Sequence, residues 1–93
     1  MAAMYNPVHP GRILKQEFAG RSVTEVARHL DISRVNLSRI LNEQAGVSAQ
    51  MSLKLAEALG TSPDLWFKLQ AQYDFWQASR KKRKKILRLK KAA

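Results

Sequence analysis

Residues 22–43 read SVTEVARHLDISRVNLSRILNE, and how this stretch divides into helices decides the fold. Ser22 is a favoured N-cap, and Glu25 three residues later makes a capping box with it. Val23, Val26, Ala27 and Leu30 then recur at the spacing of a single helical face. The short link Asp31-Ile32 follows, and Ser33 opens a second helix. At about 100° per residue, Leu37, Ile40 and Leu41 form the inward side of that helix. Ala27 offers the small side chain needed where two helices cross. Asp31 stands where glycine is common, and Asp tolerates a left-handed backbone better than most residues.

A short helix, a tight link and a second helix of similar length have the anatomy of a helix-turn-helix. On the second helix Val35, Ser38, Arg39 and Asn42 point away from the core. Such a set can work on base edges. Arg34 and Arg39 can each give a two-pronged hydrogen bond to guanine, Ser38 and Asn42 can pair with a base or a phosphate, and Val35 can meet a thymine methyl. Ser22 and Val23 would present free backbone N–H groups to a phosphate. The competing reading is two packed helices with a solvated face.

Outward from this pair, helix signals recur every ten to fifteen residues, and neither alternating strand patterns nor hairpin turns intervene. The expectation is an all-α, five-helix domain, DNA-binding if the outward set of the second helix reads bases. Helix one follows Pro10 and ends at Gly20, with Ile13, Leu14 and Phe18 apolar. Helix four begins at Ser48, shows Met51, Leu55 and Leu59, and stops at Gly60. Helix five is expected to open with Ser62 as N-cap and Pro63 at its first position. The divisions that follow are an N-terminal arm over residues 1–8, a domain over 9–79 and a basic tail over 80–93, the tail read as a frayed extension of helix five.

Composition narrows the function. A 93-residue chain buries only about 60 to 70% of its unfolded surface, which leaves little room for a deep catalytic cleft. There is no cysteine, and His9 and His29 lack the spacing of a metal site, so no metal or cofactor is expected and both histidines read as packing or surface residues. No Ser/His/Asp set and no Gly-rich phosphate loop points to an enzyme. The longest apolar runs span only a few residues and MAAMYNPVHPGRIL lacks a basic segment followed by an apolar one, so a cytoplasmic protein without a membrane role is expected, nucleoid-associated through any DNA it binds. The net charge of +10 is local: nine of the 17 Lys/Arg lie between Arg80 and Ala93, leaving eight against all seven acids in the rest. That tail either adds phosphate contacts beside a DNA site or is an inert solubilising end. Its Ile86, Leu87 and Leu89 make too small an apolar face for a membrane surface.

Residues 64–78, DLWFKLQAQYDFWQA, hold both tryptophans and two of the three phenylalanines. On a helical wheel Leu65, Trp66, Leu69, Tyr73 and Trp76 share one side, expected to close the domain's own core. Phe67, Ala71, Phe75 and Ala78 share another, and polar residues including Gln70 and Asp74 separate the two. A helix on a small domain needs one apolar stripe, so the second stripe calls for a cover. A second copy or another protein would supply it, unless helix five threads between the others. A dimer suits DNA reading, because two recognition helices about 34 to 36 Å apart match an inverted repeat.

The stretch from Ser22 to Asn42 resembles the helix-turn-helix of the lambdoid repressor and Cro class, the XRE family. That likeness implies base contacts from Ser33, Arg34, Val35, Ser38 and Arg39, with Ser22, Val23 and Asn42 nearer the phosphates. HPGRIL at residues 9–14, the helix-turn-helix and the Trp-x-x-Leu-Gln-x-x-Tyr-Asp-x-Trp pattern together resemble the HigA (VapI-like) antitoxins over residues 9–78. The resemblance implies a homodimeric, non-enzymatic DNA-binding antitoxin that represses its own operon and binds a HigB toxin, a RelE-like endoribonuclease. It also implies dimerisation through the aromatic helix. The basic tail departs from the family pattern. Alternatives are a solitary XRE-type regulator, an interaction module with a vestigial helix-turn-helix, or an RNA-binding accessory protein.

Overall fold

Three serines start three of the helices, each by accepting the N–H three residues on: Ser22 from Glu25 at 3.0 Å, Ser33 from Asn36 at 3.0 Å and Ser48 from Met51 at 3.1 Å. Each bond satisfies a backbone donor that the first helical turn leaves orphaned, worth about 1 kcal/mol. In a computed structural model that describes residues 6–91, the order is α1 (Pro10–Glu17), α2 (Val23–Leu30), α3 (Arg34–Leu41), α4 (Ala49–Leu59) and α5 (Leu65–Arg80). No strand occurs among the described residues. Residues 1–5 of the expected arm and 92–93 of the expected tail lie outside them.

The helices pack as a closed ring, α1 on α3, α3 on α2, α2 on α4, α4 on α5 and α5 back on α1. Leu14, Leu37, Ile40 and Leu55, one or two from each of α1, α3 and α4, fill its centre at 1% exposure or less. Each such side chain contributes roughly 1.5 to 3 kcal/mol through burial. Val26, Ala27 and Leu30 of α2, Trp66 of α5, and Phe18, Leu41, Val47 and Met51 surround them.

The HPGRIL segment is the joint between α1 and the rest. His9 caps α1, its Nδ1 accepting the Gly11 N–H at 2.9 Å, and Pro10 takes the first turn, where no N–H is needed. Gly11 faces α3 so closely that a Cβ there would run into the Ile40 carbonyl oxygen. His9 is buried, with its ring edge-on to Tyr73 of α5 at 5.0 Å between centroids. One histidine thus ties α1 to α5. α1 itself ends at Glu17, earlier than expected, and the chain turns through Gly20 at φ 89°.

Helix α5 starts two residues later than its Ser62-Pro63 sequence suggests. Its N-cap position is Asp64, whose side chain makes no capping bond and instead reaches Lys68 Nζ at 2.9 Å. The capping oxygen comes from α4: buried Ser52 accepts the Phe67 N–H at 3.1 Å and donates to the Pro63 carbonyl at 2.8 Å. A single hydroxyl therefore fixes where α5 begins and how it leans on α4.

At its other end α5 stops at Arg80, and residues 81–91 run without helix, every one exposed. The expected frayed continuation of the helix is absent. Beyond Arg80 successive cations repel at i+3 and i+4, and no apolar contact offsets that repulsion.

Candidate nucleic-acid interface

The turn between α2 and α3 is held from both sides. Asp31 adopts the left-handed conformation at φ 58°, ψ 50°, letting its N–H reach the Arg28 carbonyl at 3.2 Å and the Ile32 N–H reach Ala27 at 3.0 Å. This is a Schellman closure with Asp in the usual glycine place. From α4, Lys54 Nζ donates to the Asp31 carbonyl at 3.0 Å. α3 ends the same way: Glu43 at φ 63° sends its N–H to Ile40 at 3.0 Å, and Gln44 bonds Arg39 at 2.7 Å. An eight-residue helix locked at both ends is a rigid mount for side chains.

Its inner face is Leu37, Ile40 and Leu41, all buried. On its outer face Arg34, Val35, Asn36 and Arg39 are exposed, Val35 at 65%, while Ser38 is half-buried. Asn42 caps α3 and lies 3.4 Å from Ser38 Oγ, a long contact that holds neither side chain firmly. Ser33 spends its oxygen on the Asn36 N–H and keeps its hydroxyl proton for a ligand. Among the described residues neither Arg34 nor Arg39 pairs with a carboxylate. Both guanidinium forks are open to an anion or a base edge.

Two cations escaped the sequence reading. Lys15 at the end of α1 and Arg21 just before Ser22 rim a cleft of about 360 Å³ that also holds Val23, Ser38 and Asn42. The cleft joins the start of α2 to the outer side of α3, so phosphate-facing and base-facing candidates share one continuous surface. Arg21 was legible as a charge beside an N-cap; Lys15 was not, since only the packing of α1 on α3 brings it there. A larger cleft, about 550 Å³, opens between α1, α2 and α4, but Glu17 and Glu25 on its rim alternate with Arg21 and Arg28 and give a polyanion no field to follow.

On α5 the two apolar sides differ. Trp66 is buried with its Nε1–H bonded to Thr61 at 3.0 Å, and Leu65 and Leu69 pack on the core. Tyr73 is half-buried against His9, while Trp76 lies at the domain edge with the Arg80 guanidinium 4.5 Å above its ring. Phe67 and Phe75 stand outside at 46% and 76% exposure, with Ala71 and Ala78 exposed alongside them. Gln70, a polar divider on the helical wheel, is buried: its Oε1 accepts the Val47 N–H at 3.0 Å and its Nε2 donates to Asp74 at 2.9 Å. It satisfies a loop N–H that the α3–α4 link would otherwise leave orphaned.

A helix pair locked through its turn, with unpaired guanidinium groups on the second member, has the build of a helix-turn-helix. Residues 18–66 match the helix-turn-helix family. Virulence-associated protein A′ of Dichelobacter nodosus is 44% identical over 77 residues, 80% of this chain and 67% of that protein. Antitoxin HigA-1 of Vibrio cholerae is 35% identical over 74 residues, 75% of this chain and 69% of its own length. The solved structure of Pseudomonas aeruginosa antitoxin HigA with the higBA promoter superposes with a TM-score of 0.74 at 37% identity, covering 78% of this chain and 83% of that one. The chain belongs to the XRE-type helix-turn-helix family, in the branch that holds the HigA (VapI-like) antitoxins. No helix among the described residues is long and apolar enough to cross a membrane.

Proposed function

We propose that this protein is a homodimeric antitoxin that represses its own operon by binding an inverted repeat in the cell's nucleoid, and that it pairs with a HigB-like, RelE-like endoribonuclease toxin. The observation that carries the DNA half of this reading is the rigid outer face of α3, where Arg34, Val35 and Arg39 are exposed and unpaired. In it Ser33, Arg34, Val35, Ser38 and Arg39 read bases, while Ser22, Val23 and Asn42 touch phosphates, joined by Lys15 and Arg21. One such helix spans only a few base pairs, so useful specificity calls for two copies one DNA turn apart. The exposed stripe of Phe67, Ala71, Phe75 and Ala78 is the face through which they pair.

Footprinting on the DNA upstream of the protein's own gene tests the proposal. The expected result is two protected half-sites related by a two-fold axis; no protection there would refute autoregulation. The toxin half rests on kinship with HigA proteins, and the adjacent reading frame tests it. A small basic protein encoded there should co-purify with this chain and arrest growth in its absence. A frame that encodes no such protein would leave a solitary regulator.

A further inference from the structure

From Arg80 to Lys91 the chain carries nine cations and no acid, and residues 81–91 are exposed without exception. Among the described residues none of the nine pairs with a carboxylate. Arg80 alone is engaged: its stacking on Trp76 fixes the root of the segment to the end of α5. The domain offers no counter-surface, since its eight bases nearly balance its seven acids, and Glu43 and Asp64 are already paired with Arg12 and Lys68. The segment's charge is therefore neutralised only by mobile salt ions, whose release drives binding to a polyanion.

We infer that residues 80–91 form a second DNA contact, a sequence-independent clamp on the phosphates of duplex flanking the operator; this rests on the operator-binding reading above. Eleven extended residues reach about 36 Å, close to one turn of duplex. A segment tethered to a chain seated on its operator meets nearby phosphates at high effective concentration, whereas a separate RNA would have to be captured unaided. Six of the nine cations are lysines, compact charges without the planar fork that reads guanine, so the segment adds affinity and salt dependence but no base preference. Ile86, Leu87 and Leu89, exposed at 83%, 79% and 90%, are interrupted and flanked by cations and give a bilayer too little to hold.

The test compares the full-length chain with a full-length variant carrying Lys81→Gln, Lys82→Gln, Arg83→Gln, Lys84→Gln and Lys85→Gln, all at exposed positions outside the helices. Each is titrated onto two duplexes, one trimmed to the inverted repeat and one with about a helical turn of unrelated sequence on each side, between about 50 and 200 mM salt. The native chain should bind the flanked duplex about tenfold tighter at low salt, and the variant should not distinguish the two. The slope of log affinity against log salt on the flanked duplex should shrink by about two to four per protomer in the variant. Intact operator binding with equal slopes and no flank effect would overturn the clamp and leave the operator reading standing. Failure of the native chain on either duplex would refute the operator reading and the clamp with it. Tail-dependent binding that is stronger to single-stranded RNA or to anionic vesicles would overturn the assignment to duplex DNA.

Discussion

Phe67 donates its backbone N–H to the Ser52 hydroxyl 3.1 Å away, while the residue stays 46% exposed. The bond pins a hydrophobic side chain to the outside of the molecule at a fixed height on α5. Phe75, two turns on along the same face, is 76% exposed. Rigid aromatic groups lose little entropy on docking, which suits them to an interface.

Phe75→Glu is therefore expected to break self-association without unfolding the domain. A carboxylate forced into an apolar contact should cost at least about 2 kcal/mol, roughly a thirtyfold rise in the dimer dissociation constant. Sedimentation equilibrium reads the change and circular dichroism confirms that the helices survive. A variant that remains as dimeric as the parent would remove α5's outer face from the interface.

Arg39→Ala should weaken specific operator binding by about 1 to 3 kcal/mol, the worth of the two-pronged base contact proposed for it. The side chain is exposed and makes no internal ion pair, so the thermal midpoint should hold. A uniform loss on operator and unrelated DNA alike would instead make Arg39 a phosphate contact.

The helix pair was legible in the sequence because its signals are local. Ser22, Ser33 and Ser48 sit three residues before the donors they cap, and Leu37, Ile40 and Leu41 share one side at helical spacing. What escaped was tertiary. Ser62-Pro63 has the form of a helix start, yet the capping oxygen comes from Ser52 on another helix. Gln70 reads as a divider until the Val47 N–H it serves, 23 positions away, is known. His9 did carry a local signal, a side-chain acceptor directly before a proline at a helix start, and only its depth of burial depended on the fold.

Asp31→Gly should stabilise the protein by about 0.5 to 1 kcal/mol. Asp31 is held at φ 58°, which glycine adopts without strain, and its negative charge sits at the C-terminal end of α2, where the helix dipole disfavours anions. The Lys54 bond goes to the backbone carbonyl and survives the substitution. Chemical denaturation measures the gain; a loss would show that the carboxylate itself supports the turn.

Burial holds the His9 imidazole below its ordinary value of 6.5, against the opposing pull of the Glu43 and Asp74 carboxylates and the Ala45 carbonyl. In the folded protein Nδ1 accepts the Gly11 N–H, so a proton arriving there meets another donor and displaces the cap of α1. The unfolded chain takes up that proton near the ordinary value, and the folded chain resists it. Between the two, the unfolded state binds more protons, so stability is complete above about 6.5 and declines as pH falls toward the depressed folded value. Denaturation midpoints taken from about pH 8 down to 5 should drop across that window. His9→Asn keeps a capping oxygen but cannot titrate. Its midpoint should start lower, because the edge contact with Tyr73 is lost, and should change less with pH. Parallel profiles for the two proteins would assign the acid sensitivity to some other group.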